Sequence, residues 1–336
     1  MSESTNVSAF DRNGGRYQTP TSAFTRIFCW ASVTLTLMFI LNNYLIFWRD
    51  WPGFLTLVDH LALFGPSSLK TPLDGNAQLL GWLQALSYFA CIAGSALFTA
   101  RTPDRPLRQD SQVMVGIAAY IVRAAFWAVI FVGITDMVIT FLRVENLLPN
   151  LVGNDLTTSL GRSQFRGAYV HIPLVLLGCV VAAFTRSLGF TWLALLVVAA
   201  ELGIVISRFI FSYEQAFQGD LVRFWYGALF LFASAYTLYE DGHVRVDVLY
   251  AGLTTRIRGL INIWGSLLLG MSLCITVMTI GMWNKSAIIN SPMLSFEVSQ
   301  SGFGMYVKYL MASFLGIFAV TMMIQFASYI LESLAD

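Results

Sequence analysis

The sequence predicts an all-α membrane protein of about eight transmembrane helices, with interfacial amphipathic helices in some of the connections. Three observations carry this. Hydrophobic residues make up 57% of the 336-residue chain, and its mean hydropathy is +0.67. Charged residues make up only 12%, about half of the ~25% usual in soluble domains. The apolar residues are gathered into runs close to the ~20 residues a helix needs to cross a bilayer. An ordinary soluble enzyme and a disordered chain are thereby excluded. With a net charge of +1 there is no footprint for nucleic acid, and the first partner to expect is membrane lipid.

The elements follow in order. Residues 1–22 are polar and rich in Ser, Thr, Asn and Gly, the composition of a disordered tail. They lack the short apolar core and cleavage site of a signal peptide, so the first run, 25–48, is expected to remain as an anchor. Further runs lie at 79–100, 113–142, 167–185, 188–212, 221–240, 259–283 and 303–331. Only Arg186 and Ser187 separate the fourth from the fifth, which makes that pair a tight hairpin. The division expected is a tail at 1–22, a first four-helix block at 23–187 and a second at 188–336.

Three connections are more than loops. Residues 51–65, WPGFLTLVDHLALFG, are apolar but too short to span, and read as an interfacial helix. A second apolar connection at 284–302 centres on Ile288, Ile289, Met293 and Leu294. Between the sixth and seventh runs, Val246, Leu249, Tyr250, Leu253 and Ile257 share one helical face, while Arg245, Asp247, Arg256 and Arg258 fall mostly elsewhere. Such a helix lies flat among headgroups. Basic residues place both termini in the cytoplasm. The excess on that side is small, but the opposite connections at 49–78 and 143–166 are long and weigh less.

Four ionisable residues fall within the spans: Arg123, Asp136, Glu201 and Arg208. Each costs about 2.5–3.5 kcal/mol at a helix centre and so calls for a partner or a wet surface. Glu201 and Arg208 share one stripe but are separated by roughly 10 Å of rise, so Arg208 is expected to snorkel outward while Glu201 stays deep. Arg123 and Glu201 match in depth, which predicts an interhelical pair. Asp136 is rotated by roughly 220° from Arg123 and faces elsewhere. These charges read as packing or subunit-contact groups. A transport pathway usually brings convergent carboxylates and broken helices, and the spans carry no such paired interruptions.

Motifs for chemistry are absent. There is no GxxxxGK[ST], HExxH or GxSxG. Cys29, Cys91, Cys179 and Cys274 are scattered through apolar runs without a C-x-x-C, so neither a metal site nor a disulfide framework is expected. The histidines are His60, His171 and His243, a thin set for haem ligation, and His171 reads as an interfacial residue. Gly265 and Gly270 read as close-packing devices.

The most specific stretch runs from the fifth span into the seventh. Arg208-Phe209-Ile210-Phe211 ends one helix, Asp220-Leu221-Val222-Arg223 opens the next, and Glu240-Asp241-Gly242-His243-Val244-Arg245-Val246-Asp247 follows it. Physically, Asp220 can cap the helix it opens, and Arg223, three positions on, can pair with it. His243, Arg245 and Asp247 form a compact charged group. This stretch resembles the small membrane subunit, DctQ-like, of tripartite ATP-independent periplasmic (TRAP) transporters. The family pattern is R-[YF]-x-F, then E-x-x-R, then H-[VI]-R-V-D across four helices. The resemblance covers about 188–336 and departs at Asp220, where the family usually has Glu.

The resemblance implies a non-catalytic scaffold subunit of a sodium-coupled importer of organic acids in a bacterial or archaeal inner membrane. Its expected partners are a large elevator subunit (DctM-like), which carries the substrate and sodium sites, and a periplasmic substrate-binding protein (DctP-like). No enzyme activity and no cofactor of its own are expected. Glu201, Arg208, Asp220, Arg223, His243, Arg245 and Asp247 are the assembly residues it points to, beside the intramembrane charges Arg123 and Asp136. The resemblance says nothing of residues 1–187, which are expected to enlarge the static scaffold. Competing readings are an autonomous secondary transporter or channel with Arg123, Glu201 and Arg208 along its path, and a membrane anchor for a redox enzyme.

Overall fold

The computed structural model describes residues 20–65, 72–186, 190–239, 250, 252–299 and 304–335. The helices are α1 (Pro20–Arg49), α2 (Phe54–His60), α3 (Gly75–Arg101), α4 (Leu107–Val144), α5 (Leu148–Val152), α6 (Asn154–Leu160), α7 (Ser163–Arg166), α8 (Ile172–Phe184), α9 (Phe190–Phe211), α10 (Ala216–Tyr239), α11 (Thr255–Gly265), α12 (Ser272–Met282), α13 (Asn290–Ser295) and α14 (Lys308–Ala335). Single π-helical segments, Gly167–His171 and Ser266–Met271, join α7 to α8 and α11 to α12. Among the described residues, eight helical stretches are long and apolar enough to cross a membrane, and there is no strand. The protein is an all-α, multi-pass membrane protein.

Helices outrun the apolar runs that announce them, because a polar first turn is tolerated at headgroup depth when it finds partners. Asp74 caps α3, accepting from the Ala77 amide at 2.7 Å. α4 starts six residues before its apolar run, and Asp110 in its first turn is buried against two arginines. At its other end Asn146 takes the left-handed conformation (φ 56°), and the amides of Asn146 and Leu147 return to the carbonyls of Arg143 and Leu142. That is a Schellman stop, with Asn in place of the usual Gly. The connection 51–65 does hold a helix, the seven-residue α2, whose Leu57 packs against Gly81. The connection 284–302 holds α13, with Ile289 buried. The flat helix expected over Val246–Ile257 falls mainly outside the described residues, while Arg256, Ile257 and Arg258 open α11 and so belong to the seventh span.

The centre of the bundle is α4 and α14, each half buried along its apolar window. Helices from both halves of the chain share both cores. One core joins Phe126 and Val129 of α4 to Leu193 of α9, Phe224 of α10 and Phe314 of α14. The other joins Cys29 of α1 and Met114 of α4 to Cys274 of α12 and Ile324 of α14. Small residues bring backbones together. A Cβ on Gly178 would lie 2.6 Å from the Ala128 nitrogen, so α8 can approach α4 only with glycine there. Gly270 likewise receives the Phe326 ring, whereas Gly265 faces open space.

The spans alternate in direction and define two ends. The proximal end holds the start of α1, the end of α3 and the start of α4. The distal end holds the end of α4, the start of α8 and the start of α14.

Candidate functional site

The buried charges are gathered at the two ends of α4. At the proximal end, Arg26 is wholly buried and donates from Nε to Asp110 at 2.7 Å. Its two Nη atoms reach the carbonyl and hydroxyl of Thr102 at 2.8 and 2.9 Å. Arg105 Nε lies 2.7 Å from the other Asp110 oxygen. Beside them Ser111 and Ser328 share a hydrogen bond of 2.8 Å, which ties α14 to the same end.

At the distal end Asp136, also wholly buried, accepts from Arg166 Nη1 at 2.9 Å, from His171 Nε2 at 3.0 Å and from the Tyr306 amide at 2.8 Å. Arg166 further donates to the Leu160 carbonyl and the Thr140 hydroxyl, and its guanidinium stacks 4.1 Å above the Tyr306 ring. A carboxylate can only accept, so Nε2 of His171 carries the hydrogen. Its Nδ1 lies 2.9 Å from the Tyr309 hydroxyl. Arg143 joins the cluster, donating to the Tyr306 hydroxyl and lying 4.9 Å from its ring. The π-helical turn makes the His171 contacts possible. The Ile172 amide reaches back five residues to Gly167, and this offset turns His171 inward. His171, near the start of its span, is thus buried inside the bundle, and Arg166 is buried with it.

Asp110 and Asp136 are 26 residues apart, a rise of roughly 39 Å on a straight helix, against a hydrocarbon core of about 30 Å. The two carboxylates therefore cannot both lie within the hydrocarbon.

The other expected residues are dispersed. Glu201 lies midway along α9 and is exposed, with no hydrogen bond or ion pair among the described residues. It is one step off the packed stripe of Leu193, Leu196, Val197 and Ala200. Arg123 is half-buried in a small hollow between α4, α10 and α14, beside Tyr236 and Gln325, and its Nε has no hydrogen-bond partner among the described residues. The expected Arg123–Glu201 pair is absent: equal depth does not fix the direction in which each side chain points, and these two point apart. Arg208 does turn outward, to Glu214 in the distal connection at 3.5 Å.

Asp220 and Arg223 pair at 3.5 Å as the spacing predicts. Asp220 is not a cap, however, because α10 begins four residues earlier, at Ala216. Its Oδ2 instead accepts the Met305 amide at 3.1 Å, which holds the lead-in to α14 against α10. His243, Arg245 and Asp247 lie outside the described residues.

Residues 194–336 match the family model of the DctQ component of tripartite ATP-independent periplasmic transporters. The match takes in 143 of the 336 residues, so the resemblance to the DctQ component is that of this segment and not of the whole chain. The match opens inside α9 and runs to the last residue, so α1 to α8 lie N-terminal to the matched segment. No curated protein and no solved structure matches the chain.

The extension and the DctQ segment interlock. Asp136, Arg166 and His171 come from the extension, and Tyr306 and Tyr309 from the DctQ segment. Asn43 of α1 donates to the Met282 carbonyl at 2.7 Å, and Trp225 of α10 donates to the Val129 carbonyl at 3.2 Å. Sequence reasoning missed the distal cluster. The signal for it was Asp136, Thr140 and Arg143, a polar i, i+4, i+7 stripe on an otherwise apolar helix.

Proposed function

We propose that the chain is the small, non-transporting membrane subunit of a TRAP-type importer, a scaffold for a large DctM-like elevator subunit supplied by a periplasmic DctP-like binding protein. The observation that carries this reading is α9. It is largely apolar and the matched segment opens within it, yet only Leu193 along it is buried, and Glu201, without an ion-pair partner among the described residues, sits at mid-span on its exposed side. A carboxylate facing lipid there costs about 2.5–3.5 kcal/mol, which a neighbouring membrane protein would remove. Sodium coupling, an organic-acid substrate, an inner-membrane location and a cytoplasmic proximal end belong to the same proposal.

The reading as an autonomous transporter is less well supported. Arg123, Glu201 and Arg208 face three different surroundings and line no common path. Mild-detergent purification with the large subunit coexpressed tests the proposal. The large subunit should copurify with the wild type and less of it with Glu201→Leu, and proteoliposomes should take up substrate only when both subunits and the binding protein are present. Uptake by this chain alone would overturn the reading.

A further inference from the structure

Apart from the ionic clusters, a cleft of about 630 Å³ lies on the side of the bundle. Its floor is the small-residue face of α4, Ala124, Ala125 and Ala128, backed by α14. Its walls are α1 and α8. Its rim residues Tyr44 and Trp48 on α1 and Ile172 and Leu176 on α8 are all exposed, so the mouth opens sideways, where the bilayer lies. The distal end is roofed by rings in sequence: Tyr44 to Trp48 (6.4 Å), Trp48 to Phe296 (5.9 Å), Phe296 to Tyr309 (5.2 Å) and Tyr309 to His171 (5.9 Å). Tyr and Trp at that level mark the membrane interface.

The contents of this cleft are constrained. Close-packed proteins hold few voids larger than a water molecule, and an empty space of this size forfeits the dispersion contacts of its whole lining. Water has little to bind there. The hydroxyls of Tyr120, Tyr309 and Ser313 and both nitrogens of His171 are already hydrogen-bonded, and the rest of the lining is overwhelmingly apolar.

We infer that the cleft is a binding site for one acyl chain of a membrane phospholipid. The chain enters between α1 and α8 and runs along the alanine floor, with its headgroup at the aromatic roof. The site is built by the extension together with α10, α13 and α14, so it does not depend on the scaffold reading.

The test places the full-length protein in nanodiscs of phosphatidylethanolamine and phosphatidylglycerol with a trace of phosphatidylethanolamine carrying a photoreactive diazirine near the end of its acyl chain. After illumination, adducts are mapped by mass spectrometry. They should concentrate on the floor, from Ala124 to Ala128 and at Ser313, above the level on the lipid-facing residues Val198 and Leu202 of α9. Ser313→Phe fills the floor and Leu176→Trp narrows the mouth. Each should lower the floor adducts roughly tenfold while leaving those on α9 unchanged, and should reduce the phospholipid retained through detergent purification. Because Leu176 is exposed, Leu176→Trp reads the site even if Ser313→Phe does not fold. Floor adducts no more frequent than those on α9, or unchanged in the narrowed variant, would overturn the assignment.

Discussion

α4 and α9 are both apolar spans, nearly equal in hydropathy, and they use it in opposite ways. Half of the apolar window of α4 is buried in the bundle, against 6% of that of α9. α4 carries Asp110 and Asp136, both wholly buried and both paired. α9 carries Glu201, exposed and without an ion-pair partner among the described residues. Hydropathy therefore reports that a helix enters the membrane and says nothing of whether protein or lipid surrounds it. The charges discriminate, because a buried carboxylate brings its cation with it and an exposed one waits for a partner.

The sharpest way to break this contrast is to remove the carboxylate at the distal end of α4. Asp136→Ala leaves Arg166 buried without a counter-charge and should cost about 3–5 kcal/mol, read as an early thermal unfolding transition in detergent. At the proximal end, Asp110→Leu alone should cost a similar amount. The double variant Arg26→Met, Asp110→Leu should recover part of it, since the fully buried Arg26 charge is then gone and the remaining cation, Arg105, is partly exposed. Unchanged stability of the double relative to the single would show that the pair contributes packing rather than charge balance.

Next in size is the small-residue contact beneath those charges. Gly178→Ala puts a methyl group against the α4 backbone and should cost about 1–3 kcal/mol, with α8 becoming accessible to protease before the rest of the bundle. Asp220→Ala removes the acceptor for the Met305 amide and should cost about 1–2 kcal/mol. The smallest effect expected is on α9. Glu201→Leu should leave the stability of the isolated chain unchanged or slightly raised, and a loss of more than about 1 kcal/mol would mean that α9 is packed after all.

The sequence-level reading succeeds where a feature is local. Spans are legible because an apolar run of ~20 residues is a local property, and the Asp220–Arg223 pair because i, i+3 is a local spacing. The outward turn of Arg208 is legible because it lies at a helix end. The distal cluster was not legible in the same way. Asp136 meets Arg166 across 30 residues and the Tyr306 amide across 170, and nothing in the intervening chain fixes that meeting. The Arg123–Glu201 expectation failed for a related reason. Counting residues gives the depth of a side chain, while its azimuth depends on which helices pack, and that is decided by contacts such as Leu193 with the core and Gly178 with Ala128.

The two ionic ends of α4 also fix the molecule along the membrane normal. A span with polar groups only at frayed termini can tilt or slide to suit a thicker or thinner bilayer at small cost. α4 cannot, because each end is tied through buried arginines to neighbouring helices and the length between the ties is set by the helix itself. Hydrophobic mismatch must then be met by a tilt of the bundle as one body or by the lipid, which thins or thickens around a strut of constant height.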